Sequence, residues 1–303
     1  MEHNNSNIMR SSRQQQIALI TGSSSGIGFE TSLHLARNGI YTYATMRNPS
    51  KSKEILDNAG KDNLPLKIQR LDITDTESIS EAVDKIISEK NRIDIVVNNA
   101  GYSLLGPLEQ LQLDEIKEEF ETNFFGTIKL IQNVLPIMRR QGYGRIINIS
   151  SLAGRIGFPL SSAYVSSKFA LEGLVESLRY EVQPYGIHVS LIEPGVIKTN
   201  FINNMKLGKN VITSNNNNDD SNNSPYVEII QKRISAFKPR FEKGSSAGEV
   251  ADVVLEAATS DNPKARYLVG EDALKMMEKR KNTTDEEFAK LVMNSVLGRD
   301  SSS

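Results

Sequence analysis

The chain has 303 residues, of which 38% are hydrophobic and 24% charged, a balance typical of a globular protein in water. Its formal net charge of -1 leaves no excess of lysine and arginine, which argues against a general affinity for nucleic acid or anionic membranes and favours small-molecule partners. The absence of cysteine excludes disulfides and cysteine nucleophiles, and the three histidines, His3, His34 and His188, are too scattered to indicate a metal site.

The first residues of the chain are polar and lack the apolar core of a signal peptide. Residues 1–15 are therefore predicted as a disordered tail of a cytoplasmic protein. No run in the sequence approaches the ~18 apolar residues of a membrane span. We expect one domain over residues 16–270 and a helical C-terminal extension with a polar tail over residues 271–303.

Strand patterns and helix patterns alternate along the predicted domain. The predicted strands cover residues 17–21, 41–46, 66–71, 93–97, 145–150, 188–193 and 265–270. The predicted helices cover residues 29–38, 76–90, 113–140, 164–185 and 247–259. This alternation predicts an α/β fold with a parallel sheet and right-handed crossovers, in which ligands bind at the carboxyl ends of the strands.

Residues 196–244 carry the weakest pattern in the domain, and we expect them to form a substrate loop. Within them, residues 214–224 (SNNNNDDSNNS) are a polar low-complexity run that has no capacity to build a core. The run predicts a mobile insertion, and the segments on either side of it are compatible with helices.

A glycine-rich turn, Gly22 to Gly28 (GSSSGIG), lies between the first strand and the first helix. Its three glycines allow the backbone to turn tightly and to approach a pyrophosphate, which the helix N-terminus attracts. The stretch Gly22 to Gly26 also fits the nucleophile elbow of serine hydrolases. That alternative needs a histidine partner, and only His34, inside the adjoining helix, and His188, at the start of a strand, are available downstream.

The end of the second strand is where such a fold binds the adenosine ribose of a dinucleotide. An acidic residue there accepts a hydrogen bond from the 2′-hydroxyl of NAD, whereas an arginine suits the 2′-phosphate of NADP. The sequence has Arg47 and no acid at this point, which favours NADP(H) over NAD(H). A solvated surface arginine is the alternative interpretation.

Tyr164 and Lys168 are four residues apart, so a helix places them on one face. A free phenol has a pKa near 10 and is a poor base at neutral pH. An ammonium group at about 4 Å is expected to lower that pKa by up to about three units, until desolvation opposes it. The pair therefore predicts a tyrosine that transfers a proton.

Two further polar residues stand out around this pair. Ser151 follows a buried strand, thirteen residues before Tyr164, and a loop can return it to the tyrosine. Asn123 lies among the apolar residues of the long helix over residues 113–140, where a buried asparagine often marks a bend or a bound water.

Together these motifs resemble the short-chain dehydrogenase/reductase family over roughly residues 15–270. The matching segments, in family order and spacing, are Thr21 to Gly28 (TGSSSGIG), Asn98 to Gly101 (NNAG), Asn123 in NFFG, Ser151, Tyr164 with Lys168, and Pro194 with Gly195. The resemblance implies a Rossmann-like domain: a doubly wound, seven-stranded parallel sheet with helices on both faces.

The resemblance also implies a catalytic role for four residues. Tyr164 would donate the proton to the carbonyl oxygen in reduction, and Ser151 would position and polarise that oxygen, with Ser150 as the neighbouring alternative. Lys168 would lower the tyrosine pKa and hold the nicotinamide ribose. Asn123 would anchor a water that relays protons to the lysine.

For the cofactor, the resemblance implies contacts along the carboxyl edge of the sheet. Asp72 and Ile73 would contact adenine, and Thr199 would bind the carboxamide or a phosphate. The complete set of matching positions is Gly22, Ser24, Gly26, Ile27, Gly28, Arg47, Asp72, Ile73, Asn99, Ala100, Gly101, Tyr164, Lys168, Pro194, Gly195, Val196 and Thr199. One departure concerns NADP: members that prefer it often carry a second basic residue in the glycine turn, where this chain has only serines.

Within the family, the chain looks most like reductases of the 17β-hydroxysteroid and retinol dehydrogenase type, which implies a lipophilic carbonyl or alcohol substrate. Candidate lining residues for an apolar site are Tyr102, Leu104, Leu105, Leu152, Phe158 and Phe201, each of which is alternatively ordinary packing. The resemblance also implies a homodimer or homotetramer, assembled through the long helix over 113–140 and the helix that carries Tyr164.

Two rival functions remain open from the sequence. One is a dinucleotide-binding sensor or scaffold without turnover, which usually goes with loss of the tyrosine or lysine. The other is an epimerase or dehydratase on the same fold, which usually goes with a larger substrate domain.

Overall fold

The computed structural model describes residues 15–199, 205–212 and 224–297. In these ranges the strands are β1 (Ile17–Ile20), β2 (Tyr41–Met46), β3 (Leu66–Arg70), β4 (Ile95–Asn98), β5 (Ser103–Leu105), β6 (Gly144–Ile149), β7 (Ile187–Pro194), β8 (Ile197–Lys198), β9 (Met205–Leu207), β10 (Ser245–Ser246) and β11 (Arg266–Val269). The helices are α1 (Gly26–Arg37), α2 (Lys53–Lys61), α3 (Thr76–Lys90), α4 (Leu113–Phe120), α5 (Gly126–Gln141), α6 (Ser162–Val182), α7 (Val227–Lys243), α8 (Ala247–Thr259), α9 (Glu271–Lys281) and α10 (Asp285–Leu297).

Within the described ranges, seven strands form one parallel sheet in the order β11-β7-β6-β4-β1-β2-β3. The chain runs outward from β1 through β2 to β3, then returns to β4 on the other side of β1 and continues outward. The predicted doubly wound, seven-stranded sheet is confirmed. Its order reverses between β1 and β4, and a doubly wound sheet has its ligand crevice at the carboxyl ends of the strands at such a point.

Successive residues of a buried strand face opposite layers, and β1 shows this directly. Ile17 and Leu19 pack into a core shared with α3, α5 and α6. Ala18 and Ile20 pack into a second core shared with α1 and α8. The sheet is therefore covered on both faces, so a site has to lie at an edge, and its carboxyl edge is where ligands of such sheets bind.

Two helices have the bounds that the sequence predicts, because their caps are local. The Asp75 carboxylate accepts hydrogen bonds from the backbone amides of Glu77 and Ser78 at the start of α3. Ser246 and Glu249 form a reciprocal capping box at the start of α8. Such caps are encoded within four residues of sequence.

The helix over residues 113–140 is present but interrupted. A single π-helical turn, Glu121–Phe125, separates α4 from α5 and contains Asn123. The sequence indicates a bend at this asparagine, and the structure gives its form. A π turn leaves backbone carbonyls out of the regular hydrogen-bond ladder and is frequent at functional sites.

Helix α2 was not predicted. Helix α7 lies in the predicted substrate loop after the polar insertion, in a segment whose sequence is compatible with a helix. Two small parallel pairs, β5 with β9 and β8 with β10, join segments that are far apart in the sequence. Strands of two or three residues are too short to show a periodic pattern.

The residues after β11 form α9 and α10, with a break between Lys281 and Asp285. Ala273 and Met277 of α9 and Phe288 and Val292 of α10 pack against Leu152 and its neighbours, directly after β6. The predicted helical extension therefore covers one side of the carboxyl edge. In the described ranges, no helix has the length and apolar character needed to cross a membrane.

Most of the predicted N-terminal tail and of the polar insertion, together with Phe201 and residues 298–303, lie outside the described residues.

Candidate active site

The glycine turn is fastened to the end of β4 through Thr21. Its hydroxyl accepts hydrogen bonds from the backbone amides of Asn99 and Ala100, each at 3.0 Å. In return, the Asn99 side-chain amide donates to the backbone carbonyls of Thr21 at 2.9 Å and Gly22 at 3.2 Å. The two motifs therefore form one rigid unit at the point where the strand order reverses.

Two glycines of the turn have a backbone that other residues rarely adopt, with φ of 71° at Gly22 and 60° at Gly26. Gly28 is required for a different reason. A Cβ at Gly28 would lie 2.4 Å from the Asn99 side-chain nitrogen and 2.5 Å from the Gly22 carbonyl oxygen. The glycines thus allow the turn to fold over itself and to remain open on its outer side.

A cavity of about 670 Å³ lies along this edge of the sheet. It extends from Arg47, at the end of β2, past the glycine turn to Tyr164 and Lys168. Of the residues predicted to bind the cofactor, those that line it are Gly22, Ser24, Gly26, Ile27, Arg47, Asp72, Ile73, Asn99, Ala100, Gly101, Tyr164, Lys168, Pro194, Gly195 and Thr199. The predicted residues that do not line it are Gly28, which packs behind the turn, and Val196, which lines a second cavity.

The cavity has the features that a dinucleotide requires: backbone amides at the start of α1, glycines that permit close approach, and a cation at the ribose end. Residues that the sequence analysis did not assign also line it, among them Met46, Leu71, Thr74 and Lys206. The first three follow or end predicted strands, so their position next to strand ends is the feature that would have identified them.

Ser150 and Ser151 point to different places. The Ser150 hydroxyl donates to the buried carboxylate of Glu172, which also pairs with Arg266. The Ser151 side chain instead hydrogen-bonds to Tyr164 and accepts from the backbone amide of Ala153. Only Ser151 lies beside the tyrosine and lines both cavities.

Tyr164 and Lys168 lie one turn apart on α6. The Lys168 ammonium donates to the backbone carbonyl of Ile149 at 2.8 Å and lies 5.8 Å from the centre of the Tyr164 ring. Burial lowers the pKa of Lys168 to about 8, because a charged ammonium loses its water there.

Burial raises the pKa of Tyr164 to about 12, whereas the hydrogen bond from Ser151 acts in the opposite direction. The direction is opposite to the one expected from the spacing of Tyr164 and Lys168. The physical reason is that burial removes the phenolate from water, and the negative charge of Glu119 acts in the same direction. Tyr164 is therefore protonated at neutral pH.

Asn123 is buried and its side chain joins two elements. Its Oδ1 accepts from the Tyr102 backbone amide at 3.1 Å, and its Nδ2 donates to the Tyr102 carbonyl at 2.9 Å and to the Ser167 hydroxyl at 3.1 Å. The side chain thus fixes the π turn against α6 close to Lys168. It does not line the dinucleotide cavity.

Glu119 is a buried carboxyl group that the sequence analysis did not identify. One of its oxygens accepts from the Leu104 backbone amide at 2.8 Å, and the other has no hydrogen-bond partner. Burial raises its pKa to about 7, and the charges of Lys168 and Lys206 act in the opposite direction. It lies four residues before Asn123, one helical turn away, which is the pattern that could have revealed it.

A second cavity of about 330 Å³ opens on the other side of Tyr164. It shares Ser151, Tyr164, Pro194, Gly195 and Ile197 with the dinucleotide cavity. The two cavities therefore meet at the serine and tyrosine.

Among the predicted substrate-lining residues, Leu105, Leu152 and Phe158 line the second cavity. Tyr102 lines the dinucleotide cavity and Leu104 is buried in the core. Much of the remaining wall comes from α7 and α9, with Arg233, Phe237, Arg240, Phe241 and Met276, none of which the sequence analysis assigned.

The serine-hydrolase interpretation of the glycine turn requires a histidine base near Ser24, and neither downstream histidine lies there. His34 pairs with Asp252 on the outer side of α1, and His188 lies on β7; neither lines the cavity that contains Ser24. In the described ranges, no group of three or more potential metal ligands comes together.

Comparison with known proteins agrees with this geometry. The sequence profile of the short chain dehydrogenase family matches residues 16–210. The chain belongs to the short-chain dehydrogenase/reductase family. As a member of this family, it is an oxidoreductase that acts on CH–OH and C=O groups.

Three relatives indicate its type. The chain is 38% identical to the uncharacterized oxidoreductase YusZ of Bacillus subtilis, over 84% of this chain and 89% of that protein. It is 34% identical to human 17-beta-hydroxysteroid dehydrogenase type 1 (87% and 80% covered) and 36% identical to retinol dehydrogenase 8 of Bos taurus (82% and 79% covered). The type expected from the sequence is therefore confirmed.

Solved structures show the same fold. A short-chain dehydrogenase from Streptomyces avermitilis has a TM-score of 0.77 at 26% identity, covering 96% of this chain and 100% of that one. The structure of ElxO with NADP bound has a TM-score of 0.69 at 27% identity, with 86% and 100% covered.

Proposed function

We propose that this protein is an NADP(H)-dependent oxidoreductase that transfers a hydride between the nicotinamide and a lipophilic ketone or secondary alcohol. The observation that carries the proposal is the position of Tyr164. Its side chain is hydrogen-bonded to Ser151 at the one place where the dinucleotide cavity and the second cavity meet. A proton donor there reaches a substrate in one cavity and a cofactor in the other.

The protein's own residues would carry the proton chemistry. The chemistry required of the cofactor is hydride transfer to or from the substrate carbon. As charge gathers on the substrate oxygen, Ser151 donates a hydrogen bond and Tyr164 donates the proton. Lys168 would hold the nicotinamide ribose, while the π turn at Asn123 would hold a water that returns protons to the lysine.

The pKa of Tyr164 supports its role as the acid in reduction near neutral pH. A phenol with a pKa of about 12 is present almost entirely as the acid, which is the form that reduction consumes. Alcohol oxidation would need the phenolate, so we expect it to accelerate as the pH rises.

Two observations support NADP(H) over NAD(H). Arg47 lines the ribose end of the dinucleotide cavity, and no acidic residue follows β2 directly. A structural neighbour at 27% identity is described with NADP bound. The relatives named for retinol and for a hydroxysteroid support a lipophilic substrate, as does the apolar part of the second cavity.

The test is NADPH oxidation against ketones, aldehydes and quinones of graded size. Tyr164→Phe is expected to bind NADPH normally and to lose roughly 10²- to 10⁴-fold in kcat, the usual contribution of a positioned acid. Ser151→Ala should also lose kcat, whereas Ser150→Ala, the matched control, should lower stability through Glu172 and change kcat little.

The rival function is a dinucleotide-binding sensor without turnover. Wild-type protein that binds NADPH but is inert toward the whole panel would favour it over the proposed enzyme.

We also propose a homodimer or homotetramer in the cytoplasm. Large apolar side chains are exposed at the π turn and along α6: Phe125, Phe169 and Tyr180. These are the segments expected to meet a second subunit, and such patches mark interfaces. Light scattering that gives the mass of one chain would contradict this assembly.

A further inference from the structure

The second cavity contains cations in a wall that is otherwise largely apolar. Helix α7 directs Arg233, Ala236, Phe237, Arg240 and Phe241 into it. Their spacing of three and four residues places them on one face of the helix. The same face therefore presents two guanidinium groups together with two aromatic rings.

Arg233 has a neutral partner where most enclosed arginines have an acid. Its Nη2 donates to the Ser161 hydroxyl at 2.8 Å, and among the described residues neither it nor Arg240 forms an ion pair with a carboxylate. By contrast, Arg155 and Arg266, in the neighbouring wall of the fold, are paired with Glu193 and Glu172.

The charges of the described residues around the cavity do not balance. They are the partly buried Arg233 and Arg240, the exposed Lys243, and one carboxylate, Asp272. One oxygen of Asp272 already accepts the backbone amide of Val196 at 2.8 Å. A cation enclosed without a counter-charge is costly, and an anionic ligand would remove that cost.

The pKa of Arg233 agrees with this environment. Burial, followed by the like charge of Arg240, lowers it to about 10. The guanidinium therefore remains charged at neutral pH, and within the described part of the chain it has no acidic partner.

Ser161 shows how far the Arg233 guanidinium lies from Tyr164. It lies three residues before Tyr164 at the start of α6, so the two side chains are about one helical turn, or roughly 5–6 Å, apart. A group bound by Arg233 would thus lie close to, but not at, the position of the reacting carbonyl. The positive end of the α6 dipole acts in the same sense as the arginine.

We propose that the substrate is a lipophilic ketone, or the corresponding secondary alcohol, that carries a carboxylate bound by Arg233 with Arg240 beside it. The inference rests on the proposed function, because it assumes that the carbonyl reacts at Tyr164. The planar guanidinium fork matches a carboxylate with two parallel hydrogen bonds. Phe237 and Phe241 contact the apolar body of the substrate between the two polar ends.

The first experiment compares matched ketones: para-acetylphenyl alkanoic acids of graded length, their methyl esters, and the corresponding primary amines. Reduction by NADPH should be fastest for an acid, with kcat/KM roughly 10- to 100-fold above its ester, and slowest for the amine. Equal kcat/KM for acid and ester, or a preference for the amine, overturns the proposal.

The second experiment assigns the preference to Arg233. Arg233→Met should reduce the ratio of acid to ester kcat/KM to near one through the KM of the acid, and Arg233→Lys should retain part of it. Lys238→Met is the matched control, because it removes a cation from the exposed face of the same helix. A wild-type ratio in Arg233→Met overturns the proposal, as does a rise confined to the KM of NADPH.

A third measurement separates this inference from the proposed function. Calorimetric binding of the acid and the ester to Tyr164→Phe protein with NADPH gives the preference without turnover. Tighter binding of the acid than of the ester supports the carboxylate site. Activity that remains in the Tyr164→Phe variant would contradict only the proposed catalytic role of Tyr164. Equal binding of acid and ester overturns the inference while leaving the catalytic role intact.

Discussion

The two cavities that meet at Tyr164 differ in what lines them: mainly backbone in one and mainly side chains in the other. The dinucleotide cavity is shaped largely by backbone: strand ends, the glycine turn and the amides at the start of α1, with Thr21 fastening the turn to the end of β4. The second cavity is shaped by side chains from β5, the segment after β6, α7 and α9. A substitution of one lining side chain therefore changes the second cavity more directly than it changes the dinucleotide cavity.

The strongest test of the backbone site is Gly28→Ala. The added methyl group would overlap the Asn99 amide and the Gly22 carbonyl, so we expect loss of NADPH binding and a stability loss at the upper end of ~1–3 kcal/mol. Calorimetric titration and urea unfolding measure both. Gly60→Ala is the control, because nothing lies within 4 Å of its Cβ and alanine favours a helix. Normal NADPH binding by Gly28→Ala would show that the turn is less constrained than its contacts indicate.

Glu119→Gln tests how the buried carboxyl group of Glu119, which interacts with Lys168, affects the stability of the fold. With a pKa of about 7 in the fold against 4.5 for a free carboxyl, the native protein binds the extra proton, so this contribution to stability is present at low pH and is lost as the pH rises through 7. Glutamine has no such loss. The unfolding free energy of the variant relative to wild type should therefore increase by about 3 kcal/mol between about pH 4 and about pH 8.

Urea unfolding at the two pH values measures this difference. Glu118→Gln is the matched control, since it removes a carboxylate from an exposed position one residue earlier. A difference between Glu119→Gln and wild type that does not change with pH would contradict the raised pKa.

Arg47→Ala tests whether a single side chain sets the preference of the dinucleotide cavity for NADPH over NADH. We expect wild-type protein to use NADPH better than NADH, and the variant to lose that preference by roughly tenfold through the KM of NADPH. Lys51→Ala, on an exposed residue nearby that does not line the cavity, is the control. Equal efficiency of wild-type protein with both cofactors would contradict the NADP preference at once.

Phe237→Ala is expected to have the smallest effect of these variants, and the effect should be confined to the second cavity. Loss of one aromatic wall should raise the KM of a lipophilic ketone a few-fold, and the KM of NADPH should not change. Ile234→Ala is the control, because that side chain lies on the same helix and is 60% exposed. A parallel rise in both KM values would mean that the two cavities are not independent.

Much of the dinucleotide site was predictable because its residues are neighbours in sequence. The glycine turn, the NNAG segment and the pair Tyr164–Lys168 each act within a few positions, and a parallel sheet aligns their strand ends automatically. The bend at Asn123 was predictable for a similar reason: an asparagine in an apolar helix face has few explanations. Glu119 was missed because its burial depends on Leu104 and on packing against other segments.

Other features were decided by tertiary structure alone. The spacing of Ser151 to Tyr164 agrees with a hydrogen bond, yet only the fold shows that Ser150 turns away to Glu172. The pKa of Tyr164 moves upward because the desolvation of a phenol depends on everything that packs around it, which sequence spacing does not contain.

The sequence by itself determined the sheet, the cofactor edge and the family, because local periodicity and short motifs encode them. The tertiary structure decided which residues line the second cavity. Arg233 reaches Ser161 across 72 positions of sequence, and β5 pairs with β9 across a comparable distance. Contacts between residues so far apart in sequence leave no local pattern. The position of Arg233 in the second cavity could therefore be recognised only from the tertiary structure.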